Sequence, residues 1–225
     1  MNRPSPTVED YLGAIYTLRR DNQTVICHKL VDWFAVSPPT VTATVQRMVR
    51  DGWITMAEDK TIHLTPKGTE AAASVVKRHM LTELLLAKVL GVPWSKVHEE
   101  ADELEHHVSP ETAARVAEIV GQHHVCPHGN PLPGYEQEAL IPLLRAEPGR
   151  KYYLARIHEE LEINHELTAY LEEHHLIPGV TIILIQVIPS NEIVTVQIGD
   201  KQVVLGLSVA RKLWLCEKDA CIAHI

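Results

Sequence analysis

The chain has 225 residues, 45% of them hydrophobic, which is enough for two or three compact domains. No apolar run approaches the ~20 residues that cross a bilayer, and the start, MNRPSPTVEDY, lacks the basic and apolar regions of a secretion signal. Four cysteines (Cys27, Cys126, Cys216 and Cys221) form no CxxC pair, so free thiols are expected rather than a disulfide framework or a zinc ribbon. We therefore expect a cytoplasmic protein that contacts no membrane.

The net charge of −8 argues at first against nucleic-acid binding, but the charge is unevenly distributed. Residues 1–70 carry eight basic and eight acidic side chains, so this segment is neutral. Residues 71–145 carry six basic against ten acidic side chains, and residues 146–225 carry seven against eleven. DNA binding thus stays open for the first segment, and bound divalent cations would offset part of the negative charge in the other two.

The first segment, residues 1–70, predicts a winged helix-turn-helix. TVEDYLGAIYTLRR has apolar residues at helical spacing, and a second helix is predicted over residues 25–34. SPPTVTATVQRMVRDGW predicts the third helix, with Ser37 as a possible cap, prolines in the first turn and Gly52 at the end. WITMAEDKTIHLTPKG then predicts two short strands that form a hairpin wing.

The third helix is predicted to present a polar face to DNA, as the recognition helix of such motifs does. The residues predicted to contact DNA are Ser37, Pro39, Thr40, Thr44, Arg47, Arg50 and Lys60. Three of them, Arg47, Arg50 and Lys60, are natural phosphate contacts, which position a protein without reading sequence. The alternative is a winged helix that binds only protein, but this Ser/Thr/Arg face offers a partner little apolar area.

Residues 71–145 predict a helical domain that self-associates. A long helix is predicted from about residue 66 to 90, and GVPWSKVHEEADELEHHVS and SPETAARVAEIVGQ predict two more. Their apolar residues exceed what one small core needs, so we expect a homodimer: Leu84, Leu85, Val89, Leu104, Val116, Ile119 and Val120. The loop CPHGNPLPG that follows is interpreted as a rigid crossing, although its Cys126 and His128 could also bind metal.

Acidic and histidine side chains at helical spacing are the strongest functional signal in the chain. Six of them would fall in groups that each share one helix face: Asp102, Glu105 and His106 with His98 one turn earlier, and His79 with Glu83. Carboxylate oxygens and imidazole nitrogens without thiolate suit an ion of intermediate hardness such as Mn²⁺ or Fe²⁺. A solvated acidic helix face with stray histidines is the alternative that the pattern alone leaves open.

Residues 146–225 change to short β runs, which predict a small β-barrel. The runs are YYLARIHE, VTIILIQVI, EIVTVQIGD and KQVVLGLS, and the helical stretch NHELTAYLEEHHL lies between the first two. Glu159 and Glu162 follow the first run three residues apart and alone would be an unremarkable surface pair. The predicted fold class is therefore mainly α with small β.

Five motifs together resemble the diphtheria toxin repressor family of metal-dependent transcriptional regulators, in its manganese-responsive branch: EDYLGAIY, SPPTVTATVQRMVRDG, HMLTE, KVHEEADELEHHVS and HGNPLPG. The resemblance covers nearly the whole chain and implies a winged helix-turn-helix, a helical dimerisation domain and a C-terminal SH3-like β-barrel. It also implies two metal sites. The primary site would take Asp10, Asp102, Glu105 and His106, and the ancillary site His79, Glu83 and His98, completed by Glu159 and Glu162.

Departures from the iron-responsive members point to the metal. Those members place Met where Asp10 stands and Cys where Asp102 stands, so two carboxylates replace sulfur and favour Mn²⁺. Manganese-responsive members share the first Asp and often carry Glu at the second position. Ala43 stands where an iron-responsive member has Gln, so a base contact would be missing or moved there.

The resemblance implies a Mn²⁺-activated repressor of metal-uptake genes that binds a double-stranded operator as a homodimer. In this hypothesis the metal ties the first helix to the dimerisation domain and fixes the separation of the two winged helices. An Fe²⁺-responsive repressor is the first alternative. A metal-independent winged-helix regulator and a metalloenzyme are the other two.

Overall fold

The computed structural model describes residues 4–135 and 140–217, and the chain divides into two compact units, Met1–His79 and Met80–Ile225. The first unit is helical with a small hairpin, and the second joins a helical stretch to a six-stranded antiparallel sheet. These features confirm the predicted fold class. The predicted boundaries near residues 70 and 145 stay predictions. In the described part of the chain, no helix is both long and apolar enough to cross a membrane.

The elements of the first unit follow the predicted order. They are α1 (Pro6–Arg20), α2 (Cys27–Phe34), α3 (Pro38–Arg50), β1 (Ile54–Met56), β2 (Ile62–Leu64) and α4 (Pro66–Lys88), which continues into the second unit. Helix α3 begins with two prolines, whose fixed φ suits a first turn where no N–H donor is needed. The Ser37 hydroxyl pairs with the Thr40 hydroxyl at 2.8 Å and caps no backbone N–H group.

One apolar stripe from each helix forms the core of the first unit. Leu12 and Ile15 of α1 are fully buried, and so are the predicted stripe residues Val41, Val45 and Met48 of α3. Strands β1 and β2 are antiparallel, with Thr55 opposite His63, and they form the wing. Gly68, in the first turn of α4, lies so close to the wing that a Cβ there would be 1.9 Å from the Trp53 carbonyl oxygen.

The helical stretch of the second unit follows α4. A 3-10 turn (Trp94–Lys96) leads into α5 (Val97–Glu105), and α6 (Pro110–Val120) follows. The Ser109 hydroxyl caps α6 by accepting the Thr112 N–H at 3.1 Å, and Pro110 occupies the first helical position. The cap and the proline agree with the sequence signals for this helix start.

As far as the structure describes it, the rest of the second unit is the six-stranded sheet with three further α-helices. Its elements are β3 (Ile141–Pro142), β4 (Lys151–Ile157), α7 (Glu159–Glu162), α8 (His165–Glu173), β5 (Thr181–Ile188), β6 (Ile193–Ile198), β7 (Lys201–Gly206), α9 (Leu207–Ala210) and β8 (Leu213–Cys216). The strand order is β3-β8-β4-β5-β6-β7, and each pair is antiparallel. The first predicted β run overlaps β4, which begins one residue earlier, and the second and third runs contain β5 and β6. The fourth run divides into β7 and the start of α9.

The helical stretch docks on the sheet through the 3-10 turn. The Glu172 carboxylate of α8 accepts the Trp94 backbone N–H at 2.9 Å and the Ser95 hydroxyl at 2.6 Å. The Trp94 indole packs against the core of the sheet and donates to the Pro127 carbonyl oxygen at 3.0 Å. Because His98 lies one turn after this contact, the docking fixes where α5 presents its side chains.

Candidate metal centre and DNA-binding face

Three elements of the second unit bring polar donors to one point, which we call the second centre. Glu83 from α4, His98 from α5 and Glu162 from α7 each offer one ligand atom within 4.8 Å of the others. His98 Nδ1 lies 3.0 Å from Glu162 Oε2 and 3.3 Å from Glu83 Oε1. Both carboxylates are at most 1% exposed. The structure thus assembles three predicted ligands whose positions in the chain are far apart.

The loop interpreted as a rigid crossing adds two more donors to the second centre. His128 Nδ1 lies 3.2 Å from Glu83 Oε1 and 3.5 Å from Glu162 Oε2. Cys126 offers its sulfur within 4.8 Å of ligand atoms of Glu83 and His128, and all three residues are buried. A backbone hydrogen bond closes the loop, since Cys126 N–H donates to Asn130 O at 2.9 Å. In the sequence, the only signal for these two donors was the Cys-Pro-His spacing. The structure adds that both side chains are buried beside the Glu83 carboxylate.

The buried carboxylates of the second centre shift the pKa values of the groups beside them. Burial, and then the Glu83 and Glu162 carboxylates, raise the pKa of the Cys126 thiol well above its ordinary value. Burial alone would lower the pKa of His128, but the same two carboxylates outweigh burial and raise it. A cation placed among these groups would oppose both shifts, since it stabilises thiolate and carboxylate and disfavours imidazolium.

The donor set fits a divalent metal ion. Two carboxylates, two imidazoles and a thiol converge in a buried volume, and these are the side chains that bind first-row divalent metals. In the part of the chain that the structure describes, His128 Nε2 is buried without a hydrogen-bond partner. The thiol makes this set softer than the oxygen and nitrogen ligands predicted from the helix spacing.

The predicted barrel pair, Glu159 and Glu162, separates in the structure. Glu162 joins the second centre, whereas Glu159 Oε2 lies 3.3 Å from the Arg156 guanidinium. Among the described residues, Glu159 is in no donor group with Glu83 or His98. That both carboxylates complete one site stays a prediction for Glu159, whose carboxylate lies beside Arg156 in this structure.

The residues predicted for the primary site lie on elements of both units. In the second unit, Glu105 is buried at the end of α5, and His106 Nε2 lies 3.7 Å from its carboxylate. Asp102 is 59% exposed, and its carboxylate is 3.6 Å from His98 Nε2. Asp10 is half-buried on α1, in the first unit. The assembly of these four residues into one site stays a prediction. His79, which was predicted for the ancillary site, is half-buried on α4.

The predicted DNA-binding residues occupy α3 and the wing. Ser37, Pro39, Thr40 and Arg50 are exposed, and Arg47 is half-buried. Lys60 is exposed at the wing turn with a φ of 69°. These positions leave polar side chains at the start of α3, and basic side chains in its last turn and at the wing turn.

Thr44 is the exception and corrects the predicted outer face of α3. It is only 7% exposed, and its hydroxyl shares a hydrogen bond with that of Tyr11. The reason is helical spacing, because Thr44 lies three residues after Val41 and four before Met48, within the buried stripe. A side chain with so little exposed surface has little to offer DNA.

Comparison with known families covers nearly the whole chain. Residues 5–62 match the iron-dependent repressor N-terminal DNA-binding domain, and residues 65–134 match the iron-dependent repressor metal-binding and dimerisation domain. Residues 141–215 match the FeoA domain. The chain therefore belongs to the iron-dependent repressor family, which includes the diphtheria toxin repressor.

Two curated relatives and one solved structure illustrate the range of similar proteins. The iron-dependent repressor IdeR of Mycobacterium tuberculosis is 38% identical over 149 residues, which is 66% of this chain and 63% of IdeR. The diphtheria toxin repressor of Corynebacterium diphtheriae is 35% identical over 145 residues, 64% of each chain. A manganese-dependent transcriptional repressor in complex with manganese is 26% identical with a TM-score of 0.83, covering 94% of this chain and 100% of that one.

These alignments span less than two thirds of the length of the curated relatives. All three relatives are named as repressors and not as enzymes. The metalloenzyme alternative therefore gains no support from them. Iron appears in the name of one relative and manganese in that of another, so the names leave both metals open.

Proposed function

We propose that this chain is a divalent-metal-dependent DNA-binding repressor that acts on metal-uptake genes, with Mn²⁺ as its metal. The observation that carries the proposal is the buried second centre in a chain that also has a winged helix-turn-helix. Burying carboxylates is costly unless positive charge lies beside them, so a cluster of this kind is expected to hold a cation. Family membership supports the pairing of metal binding with DNA binding.

The proposed ligands form two sets. Asp10, Asp102, Glu105 and His106 would form the primary site, for which the support is helical spacing and the family resemblance. The second centre would use His79, Glu83, His98 and Glu162 together with Cys126 and His128. Glu159 stays a predicted ligand of this site, and its carboxylate lies 3.3 Å from the Arg156 guanidinium.

Mn²⁺ is proposed ahead of Fe²⁺ because of the chemistry of the primary set. Three carboxylates and one imidazole form an oxygen-rich site without sulfur, which suits Mn²⁺. Fe²⁺ remains the alternative, since affinity rises from Mn²⁺ to Fe²⁺ for a given ligand set and supply then decides. Anomalous diffraction at the Mn and Fe edges, from crystals soaked with each ion, would identify which ion each site holds.

Repulsion between the carboxylates of the primary set suggests how a metal would act. A bound divalent ion would supply the positive charge that lets these carboxylates converge. Without it, Asp102 and Glu105 lie on one helix face and repel any further carboxylate brought beside them. The free energy passed to DNA binding is the difference in metal affinity between the binding-competent and incompetent arrangements, about 1–3 kcal/mol in typical allosteric proteins.

The DNA contacts would come from the start and the last turn of α3 and from the wing. Arg47, Arg50 and Lys60 are proposed to contact phosphates, while Ser37, Pro39 and Thr40 would lie nearest the bases. Two such faces in a homodimer would meet half-sites about one helical turn apart, ~34 Å.

The homodimer is supported by apolar side chains that the second unit leaves exposed. Leu90 and Ile119 are 64% and 62% exposed, and Val89 and Leu104 are also exposed. They lie just after α4, on α5 and on α6, within the residues that match the dimerisation domain. Substituting Ile119 with Lys should lower the molar mass measured by light scattering toward that of one chain.

The test of the function uses DNA selected from a random duplex library in the presence of Mn²⁺. Binding of the selected duplex is then measured by fluorescence anisotropy with Mn²⁺ and with EDTA. We expect Mn²⁺ to tighten binding about 5–150-fold. Asp10→Ala should abolish this difference, while Asp32→Ala, at an exposed position on α2, should keep it. Equal affinity with and without Mn²⁺ would contradict the proposal and favour a metal-independent regulator.

A further inference from the structure

The two oxygens of the Glu162 carboxylate have different partners. Oε2 faces the second centre, 3.0 Å from His98 Nδ1 and 3.5 Å from His128 Nδ1. Oε1 accepts a hydrogen bond from the Asn130 side-chain amide at 2.7 Å. The carboxylate therefore presents one oxygen to the metal ligands, and an amide holds the other.

The orientation of the Asn130 amide is itself fixed. Asn130 is fully buried, and its Nδ2 also donates to the Ile157 carbonyl oxygen at 2.8 Å. Its Oδ1 accepts from Arg156 Nε, and a guanidinium can only donate. Since Oδ1 must face Arg156, the two hydrogens on Nδ2 must face Glu162 and Ile157. A flipped amide would set donor against donor and acceptor against acceptor.

Arg156 is anchored in turn by the sheet. Its guanidinium lies 4.7 Å from the centre of the Trp214 ring on the neighbouring strand β8 and 3.3 Å from Glu159 Oε2. The chain of contacts thus runs from the sheet through Arg156 and Asn130 to Glu162. In this chain of contacts the Glu159 carboxylate helps to hold the guanidinium.

The loop can reach this position only because of Gly129. Its φ is 83°, and a Cβ there would lie 2.0 Å from the Ala155 carbonyl oxygen. On the other side of Gly129, the His128 carbonyl oxygen accepts the Ile157 N–H at 2.9 Å. The same tight loop therefore carries His128 into the second centre and brings the Asn130 amide to Glu162.

We propose that Asn130, oriented by Arg156, is a positioning residue that keeps Glu162 a one-oxygen ligand of the second centre. The inference rests on the proposed function, because it concerns how that centre binds metal. With Oε1 held by the amide, Glu162 leaves room for the imidazole and thiol donors around it. Hydrogen-bonded partners of metal ligands typically contribute 10–100-fold to metal affinity, roughly the size of effect expected here.

The test uses Co²⁺ as the probe with the full chain, because its visible d–d absorption reports coordination number and geometry. Asn130→Asp keeps the size of the side chain and the acceptor for Arg156, but removes both donated hydrogens. We expect about 10–100-fold weaker Co²⁺ binding by calorimetric titration and a changed d–d spectrum. In an E162Q background the same substitution should change the spectrum much less, because Asn130 acts through Glu162.

Two further variants separate positioning from folding. Val203→Ala removes buried volume from the sheet at β7, a strand that carries no proposed ligand, and should keep the wild-type spectrum despite lower stability. If N130D does not fold, as judged by circular dichroism, Arg156→Lys removes the Nε anchor and should shift the spectrum in the same direction. Spectra of N130D or R156K that match the wild type would overturn the inference. Failure of the wild type to bind Co²⁺ at the second centre would instead overturn the proposed function.

Discussion

A buried ion pair in the first unit gives the most quantitative prediction. Glu9 on α1 and Arg78 on α4 lie 3.0 Å apart, from Oε2 to Nη2, and their side chains are only 2% and 8% exposed. Arg78 Nη1 also donates to the Ser74 hydroxyl at 3.3 Å. Each member of the pair directly precedes a proposed metal ligand, Asp10 or His79. The pair therefore fixes the backbone from which both ligands project.

The magnitude follows from burial. Replacing Arg78 with Met fills a similar volume but leaves the Glu9 charge buried without this partner, which should cost about 3–5 kcal/mol of unfolding free energy. That is a large part of the unfolding free energy of a domain, which is roughly 5–15 kcal/mol. Replacing Glu9 with Leu in the same chain should recover most of the loss, since exchanging both charges for apolar groups is often neutral.

The assay is urea denaturation of each variant without metal, followed by circular dichroism and tryptophan fluorescence. Arg50→Met is the matched control, because Arg50 is 73% exposed and its pair with Asp51 should contribute little. If R78M shifts the urea midpoint no more than R50M does, the pair does not stabilise the fold as argued. The same holds if the E9L/R78M double variant loses as much as the two single variants combined.

Three further predictions concern single positions. Gly129→Ala should lower the melting temperature and weaken Co²⁺ binding, because the added Cβ has no room. In the control Gly134→Ala the added Cβ meets no atom within 4 Å. This variant should lose only the ~1–2 kcal/mol of stability that a left-handed backbone costs a residue with a side chain. Thr44→Val should cost about 1 kcal/mol by removing the hydrogen bond with Tyr11, and unchanged DNA affinity would confirm that it makes no DNA contact. Arg50→Ala should reduce the slope of log affinity against log salt by about 1, and an unchanged slope would exclude a phosphate contact.

Local periodicity was enough to predict the helices and to single out several candidate ligands. The spacing of Asp102, Glu105 and His106 needed only a helix to share one face, and α5 with its cap residue His106 provides it. The apolar stripe of α3 was equally readable, because Val41 and Met48 recur with the period of a helix. Such patterns involve residues three or four positions apart, which a helix always brings close together in space.

Periodicity was weakest at the edges of stripes and in very short strands. Thr44 lies at the border between the buried and exposed faces of α3, and only the packing of Tyr11 against it decides its side. Strands β3 and β8 have two and four residues, so neither shows a clear alternation, and β-pairing between Ile141 and Leu215 defines them. Residue type alone gave no basis for these assignments.

The sequence by itself determined the order of the segments, the winged helix, the acidic helix and the family resemblance, because each depends on spacing within a short stretch. Only the tertiary structure decided that Glu162 joins His98 while Glu159 turns to Arg156, and that the Cys126–His128 loop adds donors. Carboxylates and imidazoles look alike in any surface helix. Their chemistry depends on which distant segments bury them together, and that burial is set by the packing of α4, α5 and the sheet.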